Sequence, residues 1–306
     1  MDPRLGDAPA LGSIARAARI LAVRSRREAA GVLVGAWKSA FHGAGVEFEE
    51  SRPYAPGDDV RAIDWNATAR TGVPWVKRFR EERSCPVLVA LDVSASMAFG
   101  SAGRTKAETG ALVTALVAAA AAQAGDPVGF VAFADGVRAE VEPGRGDAHT
   151  WHVLRAAAAS AASPGGSTDL GVASDWVRAH ARRRSLVVLL SDFRGERAEP
   201  ERPLAVAARR HDLVAAVLED PRERALVAAG GLRLVDPESG GARRVLATRR
   251  RHREAYETAA RARRERLTQR LRAEGADLLW LATDADPLHA LVRFFRARGV
   301  PRRGSA

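Results

Sequence analysis

Val87–Asp92 is an unbroken apolar run that stops at a carboxylate, and the same shape recurs at Val128–Phe133, Ser185–Ser191, Leu213–Leu218 and Leu278–Ala282. Runs of this length without polar alternation predict strands buried on both faces, as in a parallel sheet. Between them the apolar residues switch to helical spacing over Lys106–Gln123, His149–Ala162, the stretch from Asp169 to Arg182, Leu204–Arg210, 249–274 and Pro287–Ala297. Val137–Val141 adds a strand, and Leu232–Asp236 and Arg243–Ala247 flank Ser239-Gly-Gly241 as a hairpin. Strands alternating with helices predict an α/β fold, an open and mostly parallel sheet with helices on both faces.

Upstream of Pro86 the pattern differs. Ile14, Ala18, Leu21 and Ala22 recur at helical spacing, and helix is expected to continue to Phe41. Residues 43–83 interleave Gly and Pro with Phe48, Tyr54, Trp65, Trp75 and Phe79. So many aromatics argue against a linker and for a small α+β segment that packs on the sheet. The expected organisation is N-terminal helices over 1–42, this segment over 43–84, the α/β domain over 85–285, and a C-terminal helix with a basic tail over 286–306.

In open parallel sheets the ligand site lies outside the carboxyl ends of the strands. Three loops fall there. The first reads Asp92-Val-Ser94-Ala-Ser96, the second is Gly165-Gly-Ser-Thr168-Asp169, and the third begins at Asp192. Together they offer two carboxylates and three hydroxyls, a hard oxygen set suited to six-coordinate magnesium or manganese. Taken singly, each residue is also what a helix cap uses. Asp-x-Ser-x-Ser, then a Thr in a Gly-Gly loop, then an Asp, resembles the metal-ion-dependent adhesion site of von Willebrand factor type A domains. The resemblance covers roughly residues 85–285. It implies that Ser94, Ser96 and Thr168 supply hydroxyl ligands, and that Asp92 and Asp192 bind Mg2+ or Mn2+ directly or through water.

The upstream segment carries a second resemblance. Glu47-Phe-Glu-Glu-Ser-Arg52-Pro-Tyr54-Ala-Pro-Gly-Asp58-Asp59-Val-Arg61-Ala-Ile-Asp64-Trp65, followed by Arg70 and by Lys77-Arg-Phe-Arg-Glu-Glu82, is similar to the signature of domain-of-unknown-function family 58. In that family it precedes a type A domain, and members are commonly encoded beside MoxR-type AAA+ ATPases, which implies such an ATPase as partner. Read physically, Arg52, Arg61 and Arg70 are expected to pair with Asp58, Asp59 and Asp64. Pro56-Gly57 suits a turn, and Asp58 or Asp59 is expected to cap a short helix whose Ile63 and Trp65 face the core. With Tyr54, this network reads as a structural clasp or as a docking surface.

Composition alters this picture in two places. Cys85 is the one cysteine in 306 residues, which excludes an intrachain disulfide and argues against a Cys/His zinc cluster. The longest apolar run, Ala111 to Ala122, is too short for a bilayer, so a cytoplasmic location is expected. The formal net charge is +11, and residues 243–303 hold 17 arginines against seven acids. Nearly all the excess therefore sits in the C-terminal fifth. Arg250, Arg251, Arg253, Arg261 and Arg266 are expected on the outer side of the 249–274 helix. That makes nucleic-acid binding the alternative function.

Enzyme signatures are weak. There is no Gly-x-Ser-x-Gly elbow, and Gly100 to Lys106 has P-loop residues at the wrong spacing. Ser94 stands where a haloacid-dehalogenase-type phosphatase needs its second carboxylate. The expected function is a metal-dependent interaction module, not an enzyme.

Overall fold

A computed structural model describes residues 31–41, 47–56, 58–60, 63–80, 84–194 and 203–299. Strands β1 (Glu47–Pro53) and β2 (Trp75–Arg80) pair antiparallel ahead of the main sheet. That sheet contains β3 (Val87–Asp92), β4 (Val128–Phe133), β5 (Val137–Gly144), β6 (Leu186–Ser191) and β7 (Asp212–Glu219). Beyond a separate hairpin of β8 (Gly231–Val235) and β9 (Ala242–Leu246), it is completed by β10 (Asp277–Ala282). The strand order is β10-β7-β6-β3-β4-β5, parallel throughout except for the antiparallel edge strand β5. The predicted α/β class and every predicted strand of the sheet are present.

Period-two alternation divides the core. Val87, Val89 and Leu91 face one layer, while Leu88 and Ala90 face the other. The first layer holds α1 (Val32–Phe41), α3 (Lys106–Ala124), α4 (Asp147–Ala161) and α9 (Pro287–Gly299). Between α1 and α3 in sequence lies the short α2 (Trp65–Thr71). The second layer holds α5 (Leu170–His180), α6 (Pro203–Arg210) and α8 (Arg250–Ala273). A one-turn helix, α7 (Pro221–Arg224), lies between α6 and α8 and was not anticipated from sequence.

Helix α3 is buried on nearly all sides, and its alanines and Gly110 permit close approach to the sheet. A Cβ at Gly110 would lie 2.4 Å from Leu91 Cδ1. Among the described residues it is the one helix long and apolar enough to cross a membrane, and it is mostly buried in the core. Helix α1 closes the same face. Its Trp37 meets Phe295 edge-on at 5.1 Å, and Trp37 Nε1 donates to Asp126 at 3.2 Å.

The upstream segment corrects two expectations. Asp64, not Asp58 or Asp59, caps α2, accepting from the Asn66 and Ala67 N–H groups at 3.1 and 3.2 Å. Trp65 does not face the core: as the first helical residue it points outward and is 71% exposed. Ile63 is half-buried and bridges to Val76. Of the expected ion pairs, Arg52 holds Asp58 through two bonds of 2.6 and 2.8 Å, while Arg70 donates to the Asn66 carbonyl of its own helix. Asp58 N–H also closes the turn through Pro56 by donating to Ala55 at 3.1 Å. The expected roles of residues 13–30, Gly57 and Arg61 lie outside the described residues.

Candidate metal centre

The chain leaves β3 toward β4 on one side and later returns through β6 on the other, so the sheet's topological switch point lies between β3 and β6. Asp92 ends β3 there, and Asp192 follows the last residue of β6. Asp92 Oδ1 accepts the Ser94 N–H at 2.8 Å, which turns the chain into a 3-10 segment, Ala95–Ala98. Its Oδ2 accepts the Ser191 hydroxyl at 2.6 Å. The Gly-Gly loop is laced to this turn by backbone alone: Gly165 N–H donates to Val93 at 2.8 Å and Ala95 N–H to Gly166 at 2.9 Å. Gly166 sits at φ +82°, a conformation that favours glycine.

This lacing delivers Thr168. Its Oγ1 lies 2.9 Å from Ser94 Oγ and 3.5 Å from Asp92 Oδ2, and Ser94 Oγ lies 3.2 Å from Ser96 Oγ. Four of the five predicted residues thus form one buried chain of oxygens. Asp192 is buried beside them, but its oxygens are turned elsewhere. Its Oδ2 takes the Lys106 ammonium, and its Oδ1 accepts the Arg194 N–H at 3.0 Å. Lys106 also donates to Glu223 at 2.8 Å, and Arg194 pairs with Glu223 at 3.3 Å. Between Asp192 and Arg194, Phe193 is buried at φ 52°, an uncommon and strained conformation for a bulky side chain.

Sequence reasoning did not anticipate Lys106, Ser191, Glu223 or Glu238. Glu238, at the tip of the β8–β9 hairpin, reaches over the cluster. Thr168 N–H donates to its Oε2 at 3.0 Å, and Thr168 Oγ1 lies 2.8 Å from its Oε1. A hydroxyl has one proton, so Thr168 donates to only one of its neighbours at a time. Lys106 did leave a trace in sequence: it is one of three lysines in a chain whose other cations of this type are arginines. It is 1% exposed and is fixed by the capping box of Thr105 and Glu108 at the start of α3. Ser191 is a polar residue closing an apolar strand. Glu238 had no local signal beyond its place in a tight turn.

The electrostatics of the two aspartates diverge. Burial, and then the like charge of Asp192, push Asp92 up to about 7 against the hydrogen bonds of Ser191 and Ser94. Burial opposes ionisation of Asp192 as well. There the charge and hydrogen bond of Lys106, with Arg194, prevail and hold its pKa below the usual carboxylate range. Asp192 is therefore the ionised member, and Asp92 is the one that holds its proton, with no cation among its described contacts. Among the described residues no group of three or more His, Cys, Asp or Glu is arranged to hold a metal. A cation here would rely on the Ser and Thr hydroxyls for much of its sphere. Asp92, Ser94, Ser96 and Thr168 offer only oxygens, the donor type a hard divalent ion takes, while Asp192, the second expected carboxylate, is held by the Lys106 ammonium.

The side-chain hydrogen bonds described for Arg52, Asp58, Asp64 and Arg70 run to residues 51–67, and Asp64 N–H donates to the Trp75 carbonyl at 2.7 Å. None of these described bonds runs to Asp92, Ser94, Ser96, Thr168 or Asp192.

The chain matches the family described as "Protein of unknown function DUF58" over residues 50–266. An uncharacterized protein of Mycobacterium tuberculosis is 36% identical over 294 residues, spanning 95% of this chain and 91% of its own length. An uncharacterized protein of Mycobacterium bovis matches to the same extent. Among solved structures, the conserved hypothetical protein BatB from Bacteroides thetaiotaomicron aligns with a TM-score of 0.45 at 15% identity, covering 70% of this chain and 98% of that one. An aerotolerance-related membrane protein from Bacteroides fragilis aligns with a TM-score of 0.46 at 14% identity, covering 71% and 98%.

Proposed function

This chain belongs to the DUF58 family of proteins of unknown function, and on that premise we propose that it is a metal-dependent protein–protein interaction module. Ser94, Ser96 and Thr168, with Asp92 and Asp192, would hold Mg2+ or Mn2+, as the resemblance to type A domains implies. The bound ion supplies an electrophilic centre able to accept one more carboxylate, offered by a partner protein. The partner implied by the family's gene neighbourhood is a MoxR-type AAA+ ATPase, and the process is the assembly or maturation of a protein complex.

The observation that carries this reading is the oxygen chain Ser96–Ser94–Thr168–Asp92, ending in a buried carboxylate without a countercharge in contact. Ionising Asp92, as a bound cation would require, leaves a carboxylate that neither Lys106 nor Arg194 contacts. The chain's own residues do the rest: Ser191 and Ser94 orient Asp92, and Lys106 keeps Asp192 ionised.

The nucleic-acid alternative loses ground because several C-terminal cations are engaged internally. Arg253, half-buried, donates to the Ala247 and Thr248 carbonyls at 2.7 and 3.0 Å. Arg264 stacks 3.9 Å over Trp280 and pairs with Glu219, and Arg298 pairs with Asp212 and Asp277.

Calorimetric titration with Mg2+ and Mn2+ tests the reading. The wild type should bind and Asp92→Ala should not, with the fold intact by circular dichroism. Equal affinity in the two proteins would end the metal assignment. Co-purification with the ATPase unchanged by EDTA would end metal-mediated docking.

A further inference from the structure

The 3-10 turn Ala95–Ala98, the β8–β9 hairpin and helix α8 line an open cleft of ≈ 1410 Å³ that reaches Ser96, Lys106 and Glu238 at the margin of the oxygen cluster. Small-molecule sites usually span about 300–1,000 Å³, so this one is large enough for a stretch of polypeptide. Its lining carries the carboxylates Glu223, Asp236 and Glu238 and a larger set of cations, with Arg233, Arg243, Arg263, Arg266 and Arg270 among them. Among the described residues Arg263 makes no hydrogen bond or ion pair. Burial, and then the charge of Arg194, lower its pKa, against the nearby carboxylates of Asp192, Glu223 and Glu219. The rim is also apolar, with Phe99 and Val235 42% and 53% exposed.

We propose that this cavity is a docking cleft for an acidic peptide segment of a partner protein, and that Glu238 holds the place of the segment's carboxylate until it arrives. Glu238 demonstrates the chemistry itself. Its two oxygens take the backbone N–H and face the hydroxyl of Thr168, so a carboxylate is what this position accepts. The hairpin carrying it is a two-stranded ribbon, and such ribbons are marginally stable alone. Displacing only its tip, between β8 and β9, removes Glu238 and leaves Arg233, Arg243 and Val235 on the strands that line the cleft. An acidic segment then meets the wall arginines while its apolar residues cover Phe99 and Val235. Nucleic acid fits less well, because Phe99 and Tyr256 are the few aromatic platforms near the opening. The inference rests on the interaction reading for its partner, but the arginine walls are independent of any metal.

The test uses the full chain and a short fluorescein-labelled peptide of glutamates around one phenylalanine, followed by anisotropy in Mg2+ and in EDTA. Glu238→Gln should tighten binding about tenfold, because the competing carboxylate no longer reduces the binding-competent fraction. Arg263→Glu and Arg243→Glu should each weaken it about tenfold or more. Arg251→Glu, exposed on α8 and outside the cleft, should leave it nearly unchanged. Equal loss in Arg251→Glu, or no gain in Glu238→Gln with unchanged melting, would overturn the cleft. So would tighter competition by a single-stranded oligonucleotide than by unlabelled peptide. Arginine dependence that persists in EDTA supports the cleft even if the metal reading fails. Binding that requires Mg2+ but ignores the wall arginines overturns the cleft and leaves the metal reading standing.

Discussion

Asp92 and Asp220 both stand fully buried at the carboxyl edge of the sheet, the first ending β3 and the second just beyond β7. Asp220 accepts four hydrogen bonds: Ser101 N–H at 2.8 Å, Ser101 Oγ at 2.5 Å, Thr283 Oγ1 at 2.7 Å and Arg222 N–H at 2.9 Å. Burial works against its ionisation, yet those donors hold its pKa below the usual carboxylate range. Asp92 has two close donors and a like charge nearby, and is pushed up to about 7. Burial alone therefore does not mark a functional carboxylate. Donor count and neighbouring charge do. Asp220 is a closed clasp joining the loop after β3 to the end of β10, and Asp92 is the carboxylate on which the proposed metal reading rests.

The sharpest way to break this contrast is at Lys106. Lys106→Met leaves Asp192 and Glu223 buried without their ammonium. Losing one member of a buried pair typically costs about 3–5 kcal/mol. Urea unfolding in EDTA should show a loss of that order, partly recovered by Mg2+. A loss below about 1 kcal/mol would mean that Asp192 is not the ionised member of the pair.

Asp220→Ala comes next. It strands the Ser101 and Thr283 donors, at a cost of about 2–3 kcal/mol. Divalent-ion binding should be unaffected. The contribution of Asp220 is present above its ordinary pKa of 3.8 and is lost as pH falls through its lower folded value.

Asp92 has the opposite sign. The folded protein keeps its proton up to about 7, whereas the unfolded chain releases it near 3.8. The folded state thus binds more protons in that window, and metal-free stability should fall as pH rises from about 5 to 7.5. Asp92→Asn should flatten this slope and abolish Mg2+ binding. Parallel urea titrations at the two pH values measure it. A wild-type slope equal to that of the variant would mean that Asp92 does not titrate in this window.

Much of this was legible in the chain, and the parts that were not share a cause. Buried parallel strands announce themselves as continuous apolar runs, so Val87–Asp92 and Val128–Phe133 were read to the residue. Asp92, Ser94, Ser96 and Thr168 were legible because strand ends in such a sheet converge by topology. Asp192 was found at its strand end, but its partner was not: Lys106 begins a helix 86 residues earlier and meets it only in three dimensions. Glu238 lies 70 residues from Thr168 on a hairpin outside the sheet, and no periodicity reports which way such a hairpin folds. Trp65 was misplaced because aromatic character signals apolar area, not direction. Asp64 does not stand out as the cap in sequence, because Asp58 and Asp59 offer the same capping carboxylate a few residues earlier.

The smallest expected effects separate the two aspartates most cleanly, through a matched pair of hydroxyl deletions. Ser191→Ala removes the 2.6 Å donor to Asp92 and the acceptor of the Phe193 N–H, while Thr283→Ala removes the 2.7 Å donor to Asp220. Each should cost about 1 kcal/mol, the usual net worth of such a bond. Their other consequences should differ. Without Ser191 the Asp92 pKa moves further up, so at neutral pH a proton competes harder for the site and Mg2+ binding weakens, with recovery as pH is raised. Without Thr283 the three remaining donors still hold Asp220 ionised, and Mg2+ binding is unchanged at every pH. Calorimetric titrations of both variants at pH 6.5 and 8 read this difference directly. Equal behaviour of the two variants, at similar stability, would mean that Asp92 is a second clasp like Asp220 and that the oxygen cluster holds loops together instead of a cation.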